Sequence, residues 1–216
     1  MTFKKKITVI DYGVGNLLSV QRGLEYCGGT VLLSSDATEI LSAERVVLPG
    51  VGAFGNAMSA LERMGLVDVI KELAHRQTPL LGICLGMQLL LDESAEFGVT
   101  KGLGLIPGRV VPIPAKTISG EIQKIPHIGW SSLIPSDSSG GWDGGLMQDN
   151  HTGEAAYFVH SFMAIPAESS HIIAECEYGG HRIPATIGCE QITGCQFHPE
   201  KSGEVGLKIL RRFIAE

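Results

Sequence analysis

The sequence predicts an α/β fold: a doubly wound, mostly parallel sheet with flanking helices and a nucleophile elbow, plus a smaller set of antiparallel strands in the C-terminal half. Three observations predict it. Strand-length apolar runs alternate with segments of helical period through the first hundred or so residues. Within "LLGICLGMQLLL" (Leu80 to Leu91) one kind of segment turns into the other around a cysteine. From Gly102 onward the pieces become short and strand-like.

In chain order, "KITVIDYG" (Lys6 to Gly13) is an apolar strand ending in a turn, and the basic run Lys4 to Lys6 is a solvated edge before it. "NLLSVQRGLEYCGG" continues with apolar residues at helical spacing and stops at Gly28 and Gly29. "TVLLSS", "RVVLPGVG" and "PLLGIC" are continuous apolar runs of the kind buried in parallel sheets. Helical segments near Ala57 to Met64 and Leu66 to Arg76 fall between the last two. In the second half, "GLIPGRVVPIP", "KIPHIGWSSL", "AAYFVHSF", "HIIAECEYGG" and "ATIGCEQITGCQFHP" supply strands, and a closing helix spans about Glu204 to Ile214. The loop "IPSDSSGGWDGGLMQDNHTGE" reads as an exposed excursion. No internal repeat is visible.

At 216 residues the chain is expected to form one domain, 1–216, burying roughly 70–75% of the surface its unfolded form exposes. A net charge of −6 argues against nucleic acid as the main partner, because phosphate binding needs a dense patch of Lys and Arg. No apolar stretch approaches the ~20 residues that span a bilayer, so no membrane and a cytoplasmic location are expected. The five cysteines form neither a CxxC pair nor a Cys/His set at zinc spacing, so neither metal nor cofactor is expected. Cys27, Cys176, Cys189 and Cys195 lie among apolar neighbours and read as small core residues.

Cys84 is the exception. "GICLG" has the G-x-nucleophile-x-G form, in which glycines flank a sharp strand-to-helix turn and present the central side chain at the sheet's carboxyl edge. Unpaired N–H groups and the positive dipole end of a helix start suit an anion there. A nucleophile needs a base and a group to orient it. "QFHPE" offers both: extended residues two apart point to one side, so Glu200 can hold the His198 ring while His198 takes the Cys84 proton. Each has a structural alternative, a strand-end histidine on a backbone carbonyl and a solvated loop carboxylate. Acyl transfer also needs oxyanion donors. "LPGVG" follows a strand, and its glycines let a backbone N–H turn inward, pairing Val51 with Leu85; a simple turn is the alternative.

"PGVG", "GICLGMQLL" and "QFHPEKS", in that order over nearly the whole chain, resemble a class I (triad) glutamine amidotransferase domain. "IDYGVGNLLSV", "KIPHIGW" and "YFVHSF" narrow this to resemblance with the glutaminase subunits of imidazole glycerol phosphate synthases. The resemblance implies that Cys84, His198 and Glu200 are the triad and Gly50, Val51 and Gly52 the oxyanion strand. It implies Gln88, Glu96, Ser161 and Phe162 as glutamine contacts. The activity implied is glutamine hydrolysis to glutamate and ammonia, with the ammonia passed to a (β/α)₈ cyclase subunit in a heterodimer. That partner makes imidazole glycerol phosphate and an aminoimidazole carboxamide ribotide in histidine biosynthesis. Asn16, Pro126, Trp130 and Lys201 would lie near the interface; Asn16 also reads as a helix cap, Trp130 as core and Lys201 as a surface charge.

Three departures separate the chain from that pattern. Ser131 replaces the asparagine of "GWN", Phe162 replaces the tyrosine of "HSY", and Gly203 and Glu204 follow "PEKS". They resemble a paralogous branch that supplies ammonia to an amidotransferase acting on bacterial surface sugars. Two further classes complete the alternatives: a stand-alone cysteine hydrolase of γ-glutamyl substrates, and a non-catalytic subunit with an inert triad. The glycines of "PGVG" also suggest control, since a flipped peptide there would spoil the oxyanion hole until the partner corrects it.

Overall fold

The computed structural model describes residues 5–138 and 140–215. Lys4 of the basic run and Ser139 of the glycine-rich loop lie outside the described residues. The first half alternates strand and helix: β1 (Lys6–Ile10), α1 (Leu17–Tyr26), β2 (Thr30–Ser34), α2 (Ala37–Leu41), β3 (Val46–Gly50), α3 (Phe54–Arg63), α4 (Leu66–His75), β4 (Leu80–Cys84) and α5 (Leu85–Leu89). In the second half come β5 (Glu93–Ser94), β6 (Thr100–Lys101), β7 (Gly108–Pro112), β8 (His127–Pro135), β9 (Ala155–His160), β10 (Phe162–Pro166), β11 (Ile172–Tyr178), β12 (His181–Cys189), β13 (Ile192–Cys195) and α6 (Gly203–Ala215).

A nine-stranded sheet, ordered β2-β1-β3-β4-β13-β12-β11-β8-β9, runs through the molecule. Its first five strands are parallel neighbours, and from β13 onward each pairing is antiparallel. Every residue of β3 and β4 is buried, as expected where helices cover both faces of a parallel sheet. On one face α3 and α4 bury Phe54, Leu61, Leu66 and Ile70 in a cluster with Leu48 and Leu80. On the other, α1 and α6 bury Val20, Leu24, Ile209 and Phe213 against Ile7, Val47 and Ile83. No helix among the described residues is long and apolar enough to cross a membrane.

The predicted antiparallel strands therefore extend the parallel half rather than stand apart from it. A second, four-stranded sheet, β10-β7-β5-β6, does stand apart. The run "AAYFVHSF", expected as one strand, splits at Ser161: β9 pairs with β8 in the large sheet, while β10 pairs with β7 in the small one. "ATIGCEQITGCQFHP" likewise splits into β12 and β13, with Glu190 taking a positive φ of 53° between them. The short helix α2 carries no readable period. Its start is fixed by Asp36, whose carboxylate accepts from Thr38 N and Glu39 N at 2.9 Å each.

The glycine-rich loop is not the free excursion expected of it. Trp142, Leu146 and Met147 are buried, and Trp142 Nε1 donates to Ile173 O at 3.1 Å, so three apolar anchors pin it to the sheet. Of the cysteines read as core, Cys176 and Cys195 are buried. Cys27, which caps α1, and Cys189, which ends β12 at its turn, are only half-buried.

Candidate active site

β4 ends on Cys84 and α5 begins at the next residue, so the thiol stands at the carboxyl edge of the sheet. The turn places Cys84 itself at φ 55°, ψ −110°, a strained conformation for a residue with a Cβ. The flanking glycines serve clearance. A Cβ on Gly86 would lie 1.8 Å from Leu48 O, and one on Gly82 would lie 2.7 Å from Met87 N. Only glycine at both positions lets the first turn of α5 fold back against β3 and β4.

β13 is the parallel neighbour of β4, with Cys195 opposite Ile83, so the chain leaving β13 emerges beside Cys84. There His198 opens a 3-10 turn over Pro199–Lys201, with Pro199 supplying the fixed φ of its first position. His198 Nδ1 lies 2.9 Å from Glu200 Oε1, and both side chains are buried. The pair expected from strand alternation is thus made by a turn instead, because the proline ends the extended geometry. Neither structural alternative holds: the His198 ring bonds a carboxylate rather than a backbone carbonyl, and Glu200 is not solvated. The other carboxylate oxygen, Oε2, is buried without a partner. Burial alone would lower His198, but its hydrogen bonds and charge interactions with Cys84 and Glu200 prevail and raise it to about 9. Its backbone is fixed by His198 N donating to Tyr157 O at 3.1 Å and by Ser202 Oγ donating to His198 O at 2.7 Å.

A cavity of about 520 Å³ opens over these groups and is lined by Val51, Gly52, Leu85, Gln88, Glu96, Ser161 and Phe162 together with Cys84 and His198. Most of the predicted oxyanion and glutamine contacts are thereby gathered in one place. Gly50 stands behind the wall, opposite Cys84 in the β3–β4 register, where a Cβ would meet Tyr12 Oη at 2.7 Å. Tyr12 is buried and donates its hydroxyl to Pro49 O at 2.8 Å, tying down the start of the glycine strand. Burial, and then the nearby Cys84, push its phenol well above the usual range. Gln88 Nε2 donates to Phe162 O at 3.0 Å and to Gln196 Oε1 at 2.9 Å. Glu96 Oε2 accepts from Phe54 N at 2.6 Å, so one carboxylate oxygen holds the start of α3.

Pro126 and Lys201 line the same cavity, Lys201 being exposed. Trp130 is 59% exposed on β8, which removes its reading as core. Asn16 lies exposed outside the cavity at the N-cap position of α1, where its backbone O accepts from Val20 N at 3.2 Å but its side chain makes no cap bond. Sequence reasoning missed Tyr12, Gln196 and Ser202. Gln196 is fully buried, with Nε2 3.9 Å from Cys84 Sγ, and its signal was a lone amide inside the apolar run "GCQF". Among the described residues no three His, Cys, Asp or Glu side chains gather as a metal site.

This arrangement can attack a carbonyl with sulfur, protonate a leaving group from His198, and accept water in the vacated space. The model of the family "Glutamine amidotransferase class-I" matches residues 8–216. The chain is 47% identical over 208 residues, 96% of its length and 98% of the relative's, to "Imidazole glycerol phosphate synthase subunit HisH 1" of Legionella pneumophila (strain Lens). It is 48% identical over 208 residues, 96% of its length and 94% of the relative's, to the subunit HisH of Geobacillus thermodenitrificans. Among solved structures it is similar to that of PurLQS from Thermotoga maritima, with a TM-score of 0.72 at 19% identity, covering 99% of both chains. A structure titled as a glutamine amidotransferase matches with a TM-score of 0.70 at 12% identity over 97% of this chain and 99% of that one.

Proposed function

The chain belongs to the class-I glutamine amidotransferases, and from that premise we propose that it acts as the glutaminase subunit of an imidazole glycerol phosphate synthase, feeding ammonia to a cyclase subunit. One observation supports this above the rest: Cys84 and His198 line a single cavity, with Glu200 bonded to His198 behind it, in a chain that matches HisH subunits over 96% of its length.

In the reaction the Cys84 thiol gives its proton to His198, and Sγ attacks the side-chain amide of glutamine. The oxyanion that forms rests on the backbone N–H groups of Val51 and Leu85. His198, protonated at neutral pH, gives its proton to the departing nitrogen, and ammonia leaves as the γ-glutamyl thioester forms. Neutral His198 then takes a proton from water, which attacks the thioester and releases glutamate. Glu200 orients the ring and balances its charge throughout. Gln88, Glu96, Ser161 and Phe162 hold the amino-acid end of the substrate, and the whole chain works as one glutaminase domain.

The partner in this proposal is a (β/α)₈ cyclase forming a heterodimer over the face that carries Pro126, Trp130, Lys201 and Asn16. Exposed Ile128 and Trp130 on β8 and half-exposed Val51 beside the cavity mouth suit such a partner. Ser131 and Phe162 favour the surface-sugar branch as a second reading for the acceptor. The test separates the two half-reactions. Cys84→Ala should abolish glutamine-dependent imidazole glycerol phosphate formation by the reconstituted pair and leave ammonia-dependent formation intact. Equal loss of both would defeat the division of labour, and no glutamine-dependent product from the wild-type pair, with a cyclase that still uses ammonia, would redirect the search to the sugar amidotransferase.

A further inference from the structure

Two buried histidines lie outside the triad, His127 of β8 and His160 of β9, and His160 lines the cavity. They are cross-strand partners, directly opposite in the β8–β9 register. His127 is packed between two rings, 5.0 Å from Phe158 and 4.1 Å from Tyr178, centroid to centroid. Its Nε2 lies 2.9 Å from Ser131 Oγ, and its Nδ1 lies 3.0 Å from His160 Nε2. His160 Nδ1 in turn lies 2.9 Å from Phe162 O.

The direction of this chain is fixed by its last acceptor. A carbonyl only accepts, so His160 carries its hydrogen on Nδ1 and leaves Nε2 bare. His127 must then donate from Nδ1, leaving its own Nε2 to accept from the Ser131 hydroxyl. A second proton on His160 would set two N–H groups against each other across 3.0 Å unless His127 moved its own hydrogen to Nε2, toward Ser131 Oγ. Burial agrees with this, pulling both histidines down to about 4.

Phe162 O is also the acceptor for Gln88 Nε2, whose second hydrogen goes to Gln196 Oε1, and Gln196 Nε2 points to Cys84 Sγ. With both amide hydrogens engaged, Gln88 has only its carbonyl oxygen to offer the cavity, which is an acceptor for an N–H of the substrate.

We infer that His127 and His160 are positioning residues for glutamine binding: they fix the Phe162 carbonyl, and through it the outward-facing oxygen of Gln88. The inference rests on reading the cavity as a glutamine site. Neither histidine takes part in the chemistry, so their loss acts on affinity rather than on the reaction of bound substrate.

The test uses replacements that keep one end of an imidazole and not the other, measured in the complex with the cyclase. Asparagine places its amide donor where Nδ1 was, whereas glutamine reaches only to the place of Nε2. His160→Asn is therefore expected to keep the KM for glutamine within about threefold of wild type, and His160→Gln to raise it about tenfold or more. The His127→Asn and His127→Gln pair should repeat the same order if a His160 variant does not fold. In all four, kcat should stay within about threefold, and iodoacetamide, which has no amino-acid end to recognise, should alkylate Cys84 at the wild-type rate. Equal KM values for the Asn and Gln variants in an active complex would overturn the inference alone, since a role in packing treats both alike. A wild-type complex that does not hydrolyse glutamine would overturn the glutaminase reading and this inference with it.

Discussion

His198 and Glu200 are joined nitrogen to oxygen at 2.9 Å within a single 3-10 turn, while the second oxygen of Glu200 is buried with no partner. The carboxylate's whole charge is thus directed at one imidazole. Glu200→Gln keeps the shape and an acceptor but removes the charge that favours protonated His198. Its kcat for glutamine in the complex is expected to fall by about 10²–10⁴-fold, with the KM much less affected. A fall of less than threefold would show that the ring is held by other groups.

The strain at Cys84 gives a second prediction. At φ 55°, ψ −110°, glycine is at ease and alanine is not. Cys84→Gly should be more stable than Cys84→Ala by about 1 kcal/mol in urea unfolding, although it is the smaller residue and its unfolded chain is freer. The reverse order would mean that the turn is relaxed.

Tyr12 holds Pro49 O at 2.8 Å from inside the core, one residue before the glycines of the oxyanion strand. In Tyr12→Phe that carbonyl loses its partner while the ring stays packed. We expect a loss of about 1 kcal/mol in stability and a several-fold fall in kcat, with the alkylation rate of Cys84 unchanged. Unchanged kcat would detach the oxyanion strand from this contact.

Stability should respond to pH in two opposite limbs. His127 and His160, at about 4 against an ordinary 6.5, stay neutral in the fold while the unfolded chain takes up protons. Their effect is to lower stability as pH falls from about 6.5 to 4. His198, at about 9, holds in the fold a proton that the unfolded chain has already released. Its contribution is complete below 6.5 and is lost as pH rises through 9. Melting temperature followed from pH 4 to 9.5 should therefore peak near pH 6.5 from these groups. The acid limb should flatten in the double variant His127→Asn, His160→Asn. Persistence of that limb would assign it to carboxylates instead.

Much of the site was legible because its chemistry is concentrated in short segments. "GICLG" and "QFHPE" mark a candidate nucleophile and base through residue type alone, and the buried parallel strands show as unbroken apolar runs. What stayed hidden depends on contacts between distant segments. Tyr12 gains meaning only from Pro49, Gln196 only from Gln88, and His127 only from His160, and no local period marks such pairs. The break at Ser161 was equally silent, since both halves of "AAYFVHSF" are good strand sequence and only the choice of neighbour separates β9 from β10. The loop around Trp142 misled because its composition is polar on average while three side chains decide its position.

The place of β13 bears on how the chain is made. Residues 192–195, which follow β12 in the chain, are inserted in the middle of the large sheet, between β4 and β12, rather than added at an edge. A nascent chain that has not yet released residues 192–195 from the ribosome leaves β4 and β12 with open edges, the kind of surface that invites pairing between molecules. Such a chain has Cys84 but no His198 beside it. Contacts of such long sequence separation also slow folding. Emergence of this one segment thus closes the sheet and brings His198 beside Cys84 in a single event.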